Sequence, residues 1–310
     1  MSLLLLCPTK DPQPWKAAIA GLDPSIEVCV WPEVAKPEDI TFALVWNHPP
    51  AVLDRFKNLK AISSLGAGID HINNDPGFPS HLPLTRIVDP ALVQSMSEYV
   101  VTAVMQHFRG FTTYATQQAG RVWKDLPPNR ISDCRLGVMG MGVLGSDAAT
   151  KLHALGFSVD GWSRQRKTMS ELSQSFAGQD ELPAFLHRAN ILICLLPLTS
   201  STEGILNQNL FAQLPKDAYL INAARGHHLV EKDLLEAINS GKMSGACLDV
   251  FREEPLPAIH PFWQHPKITI TPHIASLTDP RSAAHQVVEN YHRANEGRPL
   301  LNAVDLTREY

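Results

Sequence analysis

The sequence contains no long hydrophobic run. Its opening, Met1-Ser-Leu-Leu-Leu-Leu-Cys7-Pro, offers only about five apolar residues with no basic start before a proline, which is too short for a secretory signal or a membrane span. It reads instead as a first buried strand. There is no excess of positive charge either: 27 Lys and Arg stand against 31 Asp and Glu, a net −4. Nothing electrostatic therefore points to nucleic acid or an anionic membrane as partner. Clustered cysteine is also missing. The five thiols, Cys7, Cys29, Cys134, Cys194 and Cys247, are odd in number and scattered in or beside apolar segments, as reduced cysteines of a cytoplasmic protein would be. Zinc spacing is absent as well. His285, Glu289 and His292 share a helical face but match no zinc signature, so they read as a surface helix with no metal site, and His227 and His228 read as surface or cleft-edge residues.

What remains is an ordinary globular composition, 44% hydrophobic and 19% charged, in 310 residues. That length supports two domains, each with its own core.

The most informative segment is Arg135-Leu-Gly-Val-Met-Gly140-Met-Gly142-Val143-Leu144-Gly145-Ser. Apolar residues 136–139 form a short buried strand, the glycines form a turn, and 143–155 can be helical. A second strand, 159–162, follows at βαβ spacing. Gly140 permits the tight turn, Gly142 removes a Cβ that would block a pyrophosphate, and Gly145 lets helix and strand pack closely. The helix N-terminus supplies amide donors and a positive dipole to phosphate. This is a dinucleotide-binding fingerprint.

The residues after the second strand select the dinucleotide. An Asp or Glu there would accept hydrogen bonds from the ribose hydroxyls of NAD(H). The sequence has Ser163-Arg164-Gln165-Arg166-Lys167, and no carboxylate. A hydroxyl, a guanidinium and further cations suit a 2′-phosphate, so the expected cofactor is NADP(H), with NAD(H) as the weaker alternative.

Short strands are expected at 3–6, 27–31, 42–46, 61–65 and 84–87 before the fingerprint. After it, strands at 191–196, 219–222, 245–249 and 268–270 alternate with helical patterns, among them 231–240 ended by Gly241. Alternation of this kind predicts an α/β fold with two Rossmann-like, doubly wound parallel-sheet domains. A final helix, 281–296, closes with Gly297 and is expected to return to the first domain. The predicted organisation is a substrate-binding domain at 1–98, an NADP-binding domain inserted at 99–277, and the return of the first domain at 278–310. Segment 95–122 carries apolar positions at helical spacing and reads as a connecting helix or dimer arm.

Three pieces at expected strand ends carry candidate chemistry: Asn222-Ala223-Ala224-Arg225-Gly226, Asp249-Val-Phe-Arg-Glu-Glu254-Pro255, and Thr271-Pro272-His273-Ile-Ala275. Ligands of such sheets bind beyond the carboxyl ends of strands, where distant residues converge. An Arg, a Glu and a His together supply an anion clamp and a tuned acid.

These pieces, with Ala43-Leu-Val-Trp46-Asn-His-Pro-Pro50, Leu65-Gly66-Ala67-Gly68-Ile-Asp70, Trp162-Ser-Arg-Gln-Arg-Lys167, Ser175-Phe-Ala-Gly178 and Trp263-Gln-His-Pro266, give a chain that along its whole length resembles the D-isomer-specific 2-hydroxyacid dehydrogenases. Within that family it is most similar to the bacterial glyoxylate/hydroxypyruvate reductase A branch. The resemblance implies reduction of a small 2-oxo acid by hydride transfer. Arg225 would bind the carboxylate and polarise the carbonyl. His273 would be the general acid, and Glu254 would favour its charged, proton-carrying form. Gly66, Ala67 and Gly68 would bind the substrate carboxylate through backbone amides, and Trp46 would wall a small pocket suited to glyoxylate and hydroxypyruvate. Cofactor contacts would come from Gly140, Gly142, Val143, Leu144, Gly145, Ser163, Arg164, Lys167, Leu196, Pro197, Thr202, Ala223, Ala224, Asp249, His273 and Ala275. A homodimer is also implied. Two other functions fit the same fold: reduction of a different 2-oxo acid, and a dinucleotide-sensing binding protein without turnover.

Overall fold

A computed structural model describes residues 1–73 and 75–306. The chain divides into two compact units, Met1–Leu92 with the stretch from Leu277 onward, and Val93–Ser276. Each holds one wholly parallel sheet.

In the first unit the strands are β1 (Ser2–Leu6), β2 (Glu27–Val30), β3 (Ile40–Val45), β4 (Ala61–Ser64) and β5 (Leu84–Thr85), in the order β2-β1-β3-β4-β5. Every residue of β1 and β3 is buried, which is why the Leu3–Leu6 run is uninterrupted by polar residues: parallel strands are covered on both faces. Helix Pro280–Glu296 packs on β3, β4 and helix Gln13–Leu22. Its ends carry the expected signals. The Asp279 side chain accepts from the Arg281 amide, and Gly297 closes the helix at φ 70°.

The second unit has seven strands: β6 (Arg135–Met139), β7 (Ser158–Ser163), β8 (Gln174–Ala177), β9 (Ile191–Cys194), β10 (Ala218–Asn222), β11 (Met243–Leu248) and β12 (Ile268–Ile270). Their order is β12-β11-β10-β9-β6-β7-β8, so the winding direction reverses between β6 and β9. Alternate residues feed two cores, one on each face of the sheet. Leu136, Val138, Ile191, Ile193 and Ile221 pack in one; Met139, Leu192, Cys194 and Leu220 pack in the other.

Three elements depart from the sequence expectation. Strand β8 has a single buried residue, Phe176, and its sequence carries no alternating signal. Segment 95–122 is two helices, Pro90–Phe108 and Phe111–Ala119, because Gly110 sits at φ 69° between them. Strand 84–87 is shorter than expected, at two residues. Among the described residues, no helix is long and apolar enough to cross a membrane, and no group of three or more His, Cys, Asp or Glu is arranged to hold a metal ion. Glu289 instead pairs with Arg293 and Arg298, and His292 with Asp23.

Candidate active site

At the switch point, the turn after β6 has the geometry a pyrophosphate needs. Gly140 lies at φ 100°, and a Cβ there would fall 2.6 Å from the Leu195 carbonyl oxygen. A Cβ on Gly145 would sit 2.0 Å from the Gly140 oxygen, so strand and helix touch backbone to backbone. At Gly142, by contrast, a Cβ would meet nothing within 4 Å. The space it would fill lies at the N-terminus of helix Val143–Ala154, which has no side-chain cap and no acidic residue in its first turn. Those features fit a dinucleotide phosphate held by first-turn amides. Val143 is half exposed at that end, and Leu144 packs partly into the core.

Beyond β7, the Ser163 hydroxyl donates to the Gln165 carbonyl at 2.7 Å, and the Lys167 amide donates to the Ser175 hydroxyl at 2.9 Å. Arg166 is tied to the Ser175 carbonyl and to Glu181. Arg164 and Lys167 are the other exposed cations of this basic turn. After β9, Leu196 is buried, and Thr202 folds the loop back by donating to the Pro197 carbonyl at 2.7 Å.

Arg225 follows β10 in a turn that Asn222 closes from inside: its Nδ2 donates to the Arg225 carbonyl at 3.1 Å, and its Oδ1 accepts from the Ala224 amide at 3.2 Å. Ala223 and Ala224 are buried beneath this turn. Gly226 lets the turn lie against the next segment, since a Cβ there would fall 1.9 Å from the Phe251 carbonyl carbon. The contact brings the Arg225 charge near enough to Glu254 to act on it.

Glu254 and His273 are joined directly, Oε2 to Nδ1 at 2.7 Å, each side chain about one-third exposed. Glu254 Oε1 accepts from the Phe251 amide at 2.9 Å. Burial opposes ionisation of this carboxyl. The bonds from His273 and Phe251 and the charges of His273 and Arg225 outweigh it and hold the carboxyl below its ordinary range. His273 has the left-handed φ of 53°, and its amide donates to the Asp249 carbonyl at 2.8 Å. The buried Asp249 carboxylate accepts from the amides of Ile274 and Ala275, both at 2.8 Å, and from the Thr271 hydroxyl at 2.6 Å. An anion clamp, a carboxylate-oriented imidazole and a phosphate-binding turn thus lie at the carboxyl ends of β6, β10, β11 and β12. Such a set can bind a carboxylate and deliver a proton.

In the first unit, the Trp46 and His71 rings lie 4.7 Å apart, and a Cβ on Gly66 would come within 2.8 Å of the indole. The Gly66 amide donates to the Ser64 hydroxyl at 3.2 Å, and that hydroxyl donates to the Gly68 carbonyl at 2.6 Å. Sequence reasoning quoted Gly226 and Asn222 without giving them a role, and passed over Tyr99 and the side chain of Thr271. A glycine directly after the arginine was the available signal for the first; the hydroxyls gave none.

Comparison with known proteins agrees with the geometry. Residues 101–275 match the family model described as the NAD-binding domain of D-isomer-specific 2-hydroxyacid dehydrogenases. Along the full length of both chains, the sequence is 43% identical to a glyoxylate/hydroxypyruvate reductase A of Yersinia enterocolitica. The structure is similar to that of a D-isomer-specific 2-hydroxyacid dehydrogenase of Xanthobacter autotrophicus in complex with NADPH and MES, with TM-score 0.94, 38% identity, and 100% of this chain and 99% of that one covered. It is equally similar to an NADPH-dependent glyoxylate/hydroxypyruvate reductase of Sinorhizobium meliloti in complex with NADP and sulfate, with TM-score 0.93, 38% identity and full coverage of both chains.

Proposed function

Because the chain belongs to the D-isomer-specific 2-hydroxyacid dehydrogenase family, we propose that it reduces glyoxylate to glycolate and hydroxypyruvate to D-glycerate, with NADPH supplying the hydride. The observation that carries this reading is the directly bonded Glu254–His273 pair beside the Arg225 turn, on the same sheet as an uncapped glycine turn that fits a pyrophosphate.

In this reading the Arg225 guanidinium binds the 2-oxo acid carboxylate through its fork of donors and draws charge from the neighbouring carbonyl. Glu254 holds His273 by Nδ1, which assigns proton delivery to Nε2. The acceptor is the carbonyl oxygen as it gains electrons. Arg164, with Lys167 and Ser163, selects the 2′-phosphate. Thr202 and Pro197 shape the loop along the cofactor, and Val143, Leu144, Leu196, Ala223, Ala224 and Ala275 supply its apolar surroundings. In the first unit, Gly66 is committed to Ser64 and to room for Trp46, so the amides of Ala67 and Gly68 are the donors suited to a carboxylate. Trp46 restricts the size of the substrate. The same reading includes a homodimer, supported by the exposed apolar side chains of Phe111, Val122 and Trp123, and a cytoplasmic location, supported by the five free cysteines.

The test is absorbance at 340 nm with purified protein, NADPH or NADH, and glyoxylate, hydroxypyruvate or pyruvate. Rapid loss of NADPH with the first two acids, slower loss with pyruvate and with NADH, is the expected pattern. Binding of NADPH without oxidation by any of the three would overturn the assignment.

A further inference from the structure

We propose that Thr271 and Tyr99 are positioning residues: a directed chain of hydroxyl hydrogen bonds fixes the Asp249 carboxylate and, through it, the turn that carries His273. The inference rests on the functional reading above only for the role of His273; the chain itself stands on geometry.

Asp249 is 1% exposed, and its two oxygens accept three hydrogen bonds. Two come from the amides of Ile274 and Ala275, directly after His273, so the carboxylate clamps the downstream side of the histidine. The Asp249 carbonyl takes the His273 amide and holds the upstream side. Such clamping is needed because His273 occupies left-handed backbone space, which strains a non-glycine residue. Released, the turn would relax, and the imidazole would swing away from its bond to Glu254.

The third bond orders the rest. A carboxylate only accepts, so the Thr271 hydroxyl spends its proton on Asp249 Oδ1 at 2.6 Å. Thr271 Oγ1 must then accept from the Tyr99 hydroxyl, 2.7 Å away. The Tyr99 oxygen in turn accepts from the Cys247 thiol at 3.3 Å. Burial pushes the ionisation of both Tyr99 and Cys247 upward, so both keep the protons this direction requires. Tyr99 comes from helix Pro90–Phe108, Cys247 from β11 and Thr271 from the end of β12. The chain therefore ties three elements to one carboxylate, in a buried setting where partly satisfied networks are costly.

Valine and serine substitutions at Thr271 separate hydroxyl from shape. Val keeps the volume and loses the hydroxyl; Ser keeps the hydroxyl and loses the methyl. The proposal expects T271V to lower kcat for glyoxylate reduction roughly tenfold or more, a larger factor than any rise in the NADPH Kd, because a misplaced acid costs turnover more than cofactor binding. T271S should restore kcat. Y99F should lower it less, and the double variant Y99F/T271V should be no worse than T271V alone, since Tyr99 acts through the Thr271 hydroxyl. A second readout needs no substrate: hydrogen–deuterium exchange of the peptide spanning 272–276 should accelerate in T271V and not in T271S.

Normal exchange in T271V, or an active T271V beside an impaired T271S, overturns the proposal in favour of plain packing. Additive losses in the double variant remove Tyr99 from it. If the wild-type protein reduces no 2-oxo acid yet T271V alone shows faster exchange, the functional reading falls and the positioning chain stands.

Discussion

His273 draws its chemistry from neighbours on three strand ends, which makes single substitutions informative. His273→Ala or Arg225→Ala should lower turnover by about 10²–10⁴-fold while NADPH binding, followed by fluorescence, is retained; near-normal kcat in either variant would refute its assigned role. Arg164→Asp places a carboxylate where a 2′-phosphate is expected. It should abolish the preference for NADPH over NADH, and an unchanged ratio of kcat/KM values would remove Arg164 from cofactor selection. Glu254 links the site to stability. Its carboxyl is held below the ordinary value of 4.5, so its contribution is present above that value and lost as pH falls through the lower, folded-state one. Glu254→Gln should therefore be less stable than wild type at pH 7, by at most about 1 kcal/mol given its exposure to solvent, and the difference should vanish in acid. Urea unfolding at several pH values checks this; a difference that does not vary with pH contradicts it.

At the level of elements, the glycines of the β6 turn have separable duties. Gly142→Ala meets open space and should leave Tm within about 2 °C of wild type, while its methyl crowds the phosphate position and weakens NADPH binding. Gly140→Ala meets a backbone carbonyl at a positive φ, so it should cost roughly 2 kcal/mol or more in stability. Thermal melts paired with NADPH titrations distinguish the two, and equal effects on Tm would contradict the division. These glycines were legible in the sequence because turn, strand and helix chemistry coincide within a dozen residues. Strand β8 was not, since an edge strand with one buried residue leaves no alternation to read. The break at Gly110 was missed because the apolar spacing of Pro90–Phe108 masks a single glycine that follows it. The Tyr99–Thr271 pair, 172 positions apart, has no local signature at all: only the fold brings the two hydroxyls together.

Across the whole molecule, apolar strand runs and capped helices announced two parallel α/β sheets, and the residues of the Arg225, Glu254 and His273 segments were readable as strand-end chemistry. The division between the compact units falls at Leu92/Val93, inside the continuous helix Pro90–Phe108, where no loop composition marks it. The apolar side chains at Phe111, Val122 and Trp123 are an expense for a monomer in water and are consistent with a covered surface in a homodimer. Trp123→Glu should shift the protein toward monomer in sedimentation velocity, whereas a wild-type protein that sediments only as monomer would eliminate the dimer. The central claim, hydride transfer onto the 2-carbon of a small oxo acid, is tested most directly with NADPH carrying deuterium at the transferring position of nicotinamide C4. Glycolate formed from glyoxylate should carry one deuterium on C2 when examined by mass spectrometry; glycolate free of label, or no glycolate at all, would contradict the account.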